Sequence, residues 1–168
     1  MEIERKYEVR NVPEDLSVYK KKHIEQGYLC HNPTIRIRRS NGDYILTYKS
    51  KLGIPQDWEG SPLMNHEVEL QLRGEAYEHL KSKTDHNMIY KTRYLIPLDQ
   101  GLTAELDIFE GKLKGFVMVE VEFPDERSSM EFTPPVWFGK ELSSDKRYSN
   151  YNLSKIESLE ELQQHFII

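Results

Sequence analysis

One cysteine, Cys30, is all that 168 residues contain. That excludes an internal disulfide and fits a reducing compartment, so the expected setting is cytoplasmic. No apolar run approaches the length that spans a bilayer, and the charged opening MEIERK leaves no place for a secretory signal. A membrane is therefore not an expected partner. The six histidines form neither HxH nor HExxH spacing, which argues against zinc. No glycine-rich phosphate loop is present, which excludes P-loop chemistry. A net charge of −5 gives no general attraction to nucleic acid.

What the chain has in quantity is charge, at 30% of residues, and aromatics, at 11%. Its length suits a single domain over 1–168 with a real core. Period-two alternation predicts strands over 2–10, 34–39, 43–49, 65–72, 87–96, 102–109 and 115–123. Asn41-Gly42 marks a two-residue hairpin, and strands joined by such short turns run antiparallel. Helices are predicted over 13–26, between Pro13-Glu14-Asp15 and Gly27, and over 74–84 and 156–166. Lys20, Lys21 and Lys22 then read as a solvated helix face. Two glycines and two prolines make 50–65 a long loop that could cover a site, with Trp58 inside it. The fold class is α+β, mainly β.

Sorting each strand by parity separates its residues. One face carries Glu2, Glu4 and Lys6, then Arg36 and Arg38, Thr47 and Lys49, Glu67 and Glu69, Lys91 and Arg93, Glu105 and Asp107, and Glu120 and Glu122. The opposite face carries Ile35, Ile37, Leu46, Val68, Leu106, Val119 and Val121 among others. A half-solvated antiparallel sheet would also alternate. Unlike a surface composed for solubility, however, this one pairs like charges along each strand. Two like charges roughly 7 Å apart repel by about 0.6 kcal/mol in water and about 2.4 kcal/mol at an effective dielectric near 20. On an open surface salt removes the penalty; in an enclosed bore it persists. Acidic pairs then call for cations, and basic pairs for an anion with many oxygens. A metal-bound polyphosphate answers both, because magnesium takes carboxylate and phosphate oxygens while arginine forks onto phosphate.

MEIERK also resembles the Glu-x-Glu-x-Lys opening of CYTH-domain proteins, the triphosphate tunnel metalloenzymes. The resemblance continues in order through IRIRR, LTYK, EVE, YKTR, ELD, VEVEF and GKELSSDKRYSNYNL. It implies a closed eight-stranded antiparallel β-barrel forming a triphosphate tunnel, with peripheral helices; alternation marks seven strands, so the eighth is either weak or within 132–142. It also implies Mg²⁺ or Mn²⁺ as cofactor, a small-molecule triphosphate as substrate and a homodimer. Under the resemblance Glu2, Glu4, Glu120 and Glu122 would bind metal, with Glu4, Lys6 and Glu122 catalytic. Lys6, Arg36, Arg38, Lys49, Lys91, Arg93 and Lys146 would grip phosphates, although Lys146 and Arg147 compete for one inward position. Glu67, Glu69, Glu105 and Asp107 would act through water or hold the basic residues. Tripolyphosphate stands first among substrates, since no nucleobase pocket is legible. Thiamine triphosphate and ATP hydrolysis follow, then adenylate cyclisation. A binding module without turnover is the reading from another class.

Overall fold

The computed structural model describes residues 1–55 and 58–163. Nine strands form one antiparallel sheet: β1 (Glu2–Val9), β2 (Lys20–Cys30), β3 (Thr34–Ser40), β4 (Asp43–Ser50), β5 (Leu63–Gln71), β6 (Asp85–Pro97), β7 (Thr103–Phe109), β8 (Val117–Glu122) and β9 (Phe138–Glu141). Around the ring the order is β5-β4-β3-β2-β6-β7-β8-β1, and β1 pairs back onto β5 through Glu2↔Asn65, Ile3↔Met64 and Glu4↔Leu63. Eight strands thus close a barrel. β9 lies outside it, on the Tyr7–Val9 end of β1.

The seven strands predicted from alternation are all present, within a few residues of their expected ends. The predicted helix over 13–26 is not. Its start signal is used for a single 3-10 turn at Leu16–Val18, where the Asp15 side chain accepts from Ser17 N. The remainder is β2, the eighth stave, paired with β3 and β6. Strand β2 lacks an apolar stripe because both faces are polar. Glu25, facing out, accepts from Tyr77 Oη at 2.8 Å and from Lys81 Nζ at 3.2 Å, both on α1 (Gly74–Lys81). Gly27 ends no helix; it sits under a neighbour, and a Cβ there would meet Met88 Sδ at 2.4 Å and Thr84 Cγ2 at 2.8 Å. The segment 132–142 does hold a strand, β9, but as an addition to β1 and not as the eighth stave. Three short helices follow β8: α2 (Glu126–Glu131), α3 (Asn150–Leu153) and α4 (Glu160–Gln163). The predicted third helix extended to 166, and 164–166 lie outside the described residues.

Two apolar clusters hold the staves. One is on the outside, where Ile3, Tyr7, Leu106, Val119 and Val121 pack with Phe132 and Phe138. The other includes Tyr28, Ile89, Phe109, Met118, Leu142, Tyr148 and Leu153. By alternation, Ile89, Phe109 and Met118 share the inward faces of Lys91, Asp107 and Glu120, so apolar side chains fill this part of the bore. Arg5, on the outer face of β1, ties three elements together: it donates to Ser129 O at 3.0 Å, Glu141 Oε2 at 2.8 Å and Gly60 O at 3.0 Å. Among the described residues no helix is long and apolar enough to cross a membrane.

Candidate active site

The inward faces enclose a cavity of about 740 Å³. All four expected metal ligands line it, as do Lys6, Arg36, Arg38, Lys49, Arg93, Lys146, Glu67, Glu69 and Glu105. Arg147 instead pairs with Asp145 at 2.5 Å. Lys91 and Asp107 do not line the cavity; both side chains are fully buried and paired at 2.8 Å. Trp58 is 43% exposed and is not part of the lining either.

Charges that repeat along a strand meet their opposites across strands. Lys49 Nζ lies 2.9 Å from Glu2 Oε1 and 3.3 Å from Glu67 Oε2. Lys6 Nζ is 3.7 Å from Glu120 Oε1. Arg93 reaches Glu105 at 2.7 Å, Asp107 at 2.7 Å and Glu120 at 3.6 Å. The bore therefore relieves part of its own strain, more than parity along single strands implied.

Two regions are left over. In the first, Glu4 stands directly across from Glu122 in the β1–β8 ladder, a pairing of like charges. Burial, then Glu120, pushes the Glu4 carboxyl up to about 7. Burial, then Glu2, Glu105 and Glu4, pushes Glu122 up to about 7. Burial also raises Glu2, against the pull of Lys49. Glu120 moves the other way, because Lys6, Arg93 and Lys91 overcome its burial and hold it well below the usual carboxylate range. Its Oε1 nevertheless has no hydrogen-bond partner.

In the second region, Arg36 is buried and donates to Thr47 Oγ1 at 3.2 Å, while its Nε has no partner. Arg38 donates from Nε and Nη2 to the neutral Gln26 Oε1 at 2.9 and 2.7 Å. Burial, with Arg36 and Arg93 nearby, lowers the Arg38 guanidinium to about 9. Among the described residues neither Arg36 nor Arg38 is ion-paired. Desolvated guanidinium groups in this state favour an anion.

The acidic region fits a hard divalent cation by its chemistry, being built of carboxylate oxygens short of positive charge. Among the described residues no group of three His, Cys, Asp or Glu side chains stands ready to hold a metal by itself. Phosphate oxygens and water would complete the shell, as Mg²⁺ commonly requires.

Several cavity residues escaped the sequence reading. Lys22 and Ile24 were hidden by the apparent helix, though alternation through Lys22, Ile24, Gln26 and Tyr28 is visible once the segment is read as a strand. Tyr28 is not among those missed: its place just past the predicted helix lets it reach a tunnel end or pack, and it lines the cavity and is also buried in the apolar cluster. Ser143 and Asn150 come from the chain after β9, whose irregular backbone gives no periodic signal.

No protein-family model matches the chain. An inorganic triphosphatase of Nitrosomonas europaea is 37% identical over 158 residues, 91% of this chain and 96% of the relative. An inorganic triphosphatase of Acetivibrio thermocellus is 35% identical over 133 residues, covering 77% of this chain and 78% of the relative. A crystal structure of an inorganic triphosphatase superposes with a TM-score of 0.66 at 34% identity, over 94% of this chain and 97% of that one. With a closed barrel, a charged bore and relatives this similar over nearly their whole length, the chain belongs to the CYTH, or triphosphate tunnel metalloenzyme, family.

Proposed function

We propose that this protein hydrolyses inorganic tripolyphosphate to pyrophosphate and orthophosphate with a divalent cation, Mg²⁺ or Mn²⁺. The observation that carries this reading is the pair of desolvated guanidinium groups without carboxylates, Arg36 and Arg38, facing the same bore as the proton-hungry Glu4 and Glu122. An anion rich in oxygens meets the first need and a cation meets the second. The relatives named as inorganic triphosphatases support the same substrate.

In this reading Arg36, Arg38, Arg93, Lys6, Lys49 and Lys146 hold phosphate oxygens, and Glu2, Glu4, Glu120 and Glu122 hold the metal. The metal, when bound, withdraws charge from the phosphate oxygens. Positioning and charge neutralisation supply most of the catalysis in phosphoryl transfer. Glu4 lies within the acidic region, where its carboxylate would orient the water that attacks the terminal phosphorus in line. Residues from Glu2 to Asn152 line one cavity, which supports a single domain over 1–168. A homodimer in a cytoplasmic setting belongs to the same proposal.

The test is phosphate release from tripolyphosphate, ATP and thiamine triphosphate, each with Mg²⁺ or Mn²⁺. Tripolyphosphate should turn over fastest, and Glu4→Gln should lower kcat about a hundredfold or more with the fold intact. Release of pyrophosphate and cyclic AMP from ATP as the dominant activity would replace this reading with the cyclase. Tight binding of tripolyphosphate with no release under any metal would replace it with the binding module.

A further inference from the structure

We propose that Lys91, although it sits on an inward face, is a positioning residue that never touches phosphate: it links the Asn150 end of the cavity to Arg93. This rests on the triphosphatase reading and adds a role to it. The Lys91 side chain is 0% exposed and absent from the cavity lining. Its Nζ lies 2.8 Å from Asp107 Oδ2 and donates to Asn150 Oδ1 at 3.1 Å, with the Phe109 ring centroid 5.4 Å away. These neighbours occupy it on both sides.

Asp107 is equally buried and carries the connection onward. Arg93 donates to Asp107 Oδ1 from Nε at 2.7 Å and to Oδ2 from Nη2 at 2.9 Å. Lys91 and Arg93 therefore share one carboxylate, and the cavity-facing guanidinium is aimed by a group that Lys91 holds in place. Removing the ammonium leaves Asp107 balanced by Arg93 alone and frees it to turn. On the other side, Asn150 lines the cavity at the start of α3. The same segment is fastened to β1 at the catalytic lysine, where Leu142 N donates to Lys6 O at 2.8 Å and Lys6 N donates to Ser143 Oγ at 3.0 Å. Two tethers, one at Lys6 and one at Lys91, thus register the chain after β9 against the phosphate-binding side chains. A direct phosphate contact by Lys91 would require Asn150 to leave.

Lysine labelling by reductive methylation of the full chain, mapped by mass spectrometry with and without tripolyphosphate in a metal-free buffer, tests this. Lys22 and Lys146, which line the cavity and are exposed, should label readily and be protected by tripolyphosphate. Lys91 should label about tenfold more slowly or less, with and without the anion, as expected of a fully desolvated amine. Ready labelling of Lys91 that tripolyphosphate suppresses would overturn the proposal. Kinetics supply the second arm. Lys91→Met and Arg93→Lys should each lower kcat/KM about tenfold or more, and the double variant should be no worse than the poorer single one, because Lys91 acts on phosphate only by way of Asp107 and the Arg93 guanidinium. Losses that multiply would mean independent roles and would also overturn it. Should Lys91→Met fail to fold, Asn150→Ala takes its place: labelling of Lys91 should rise, and an unchanged rate would sink the tether. Failure of the substrate reading shows up separately, as a parent protein that releases no phosphate while Lys91 stays unreactive.

Discussion

Glu4 and Glu122 differ from the other acids of the bore in what surrounds them. Glu120 has Lys6 and Arg93 within 3.7 Å, whereas Glu4 faces Glu122 across the ladder. The consequence is a definite pH dependence. Unfolded, the two carboxyls titrate near 4.5; folded, each titrates at about 7. Between those values the native state binds more protons than the unfolded chain, so stability falls as pH rises. At Glu4 the effect is on the order of 3 kcal/mol by this linkage, and less at the exposed Glu122, where solvent damps it. Metal-free protein should therefore melt at a higher temperature at pH 5 than at pH 7. Mg²⁺ should raise the melting temperature at pH 7 and do little at pH 5, where protons hold the same oxygens. A metal-free melting temperature that climbs over this interval, read by calorimetry, would contradict the assignment. The window stops at 7 because Lys91, pushed down to about 7 by burial, acts with the opposite sign above it.

At the scale of elements, β2 shows how a strand can be written in a helix's vocabulary. Pro13, Glu14 and Asp15 are genuine start signals, and Asp15 does cap a turn. What local reading could not supply is the partner. Glu25 is an outward residue whose carboxylate is satisfied by α1, about fifty residues later in the chain. The strand needs no apolar stripe because its neighbours β3 and β6 complete its backbone hydrogen bonds. Gly27 tests the strand assignment. Gly27→Ala would be mild at the C-terminal end of a helix, but in β2 the methyl meets Met88 and Thr84. It should cost about 1–3 kcal/mol as an overpacked site, measured by urea denaturation. A change below about 0.5 kcal/mol would mean that the β2–β6 contact is looser than described.

For the molecule as a whole, the bore is the dominant electrostatic feature. Its acids and bases largely neutralise one another across strands, which offsets the repulsion between like charges along each strand. The uncompensated Arg36 and Arg38 leave a net demand for an anion at one locus. Tripolyphosphate bound at about a hundred times its Kd should stabilise the protein by about 2.7 kcal/mol. For a chain of this size that corresponds to a melting temperature higher by about 5–10 °C. Arg36→Leu should remove most of that increase, and raising the salt concentration should reduce it only partly, since buried charges are poorly screened. An increase fully retained in Arg36→Leu, followed by differential scanning fluorimetry, would move the phosphate site elsewhere.

The alternation of the charged strands was sufficient to identify seven staves, the inward face of each and the charged side chains through which those seven staves line the cavity. That much is local, because a strand's period of two assigns each residue to a face whatever its neighbours are. Ring closure, the eighth stave and the fates of Lys91 and Asp107 were decided only in three dimensions. Lys91 has the parity of a phosphate ligand, but inward parity specifies a direction and not a depth. Its level in the bore, beside Phe109 and beneath Asn150, follows from the register of β6 on β7 and from a C-terminal segment some sixty residues away.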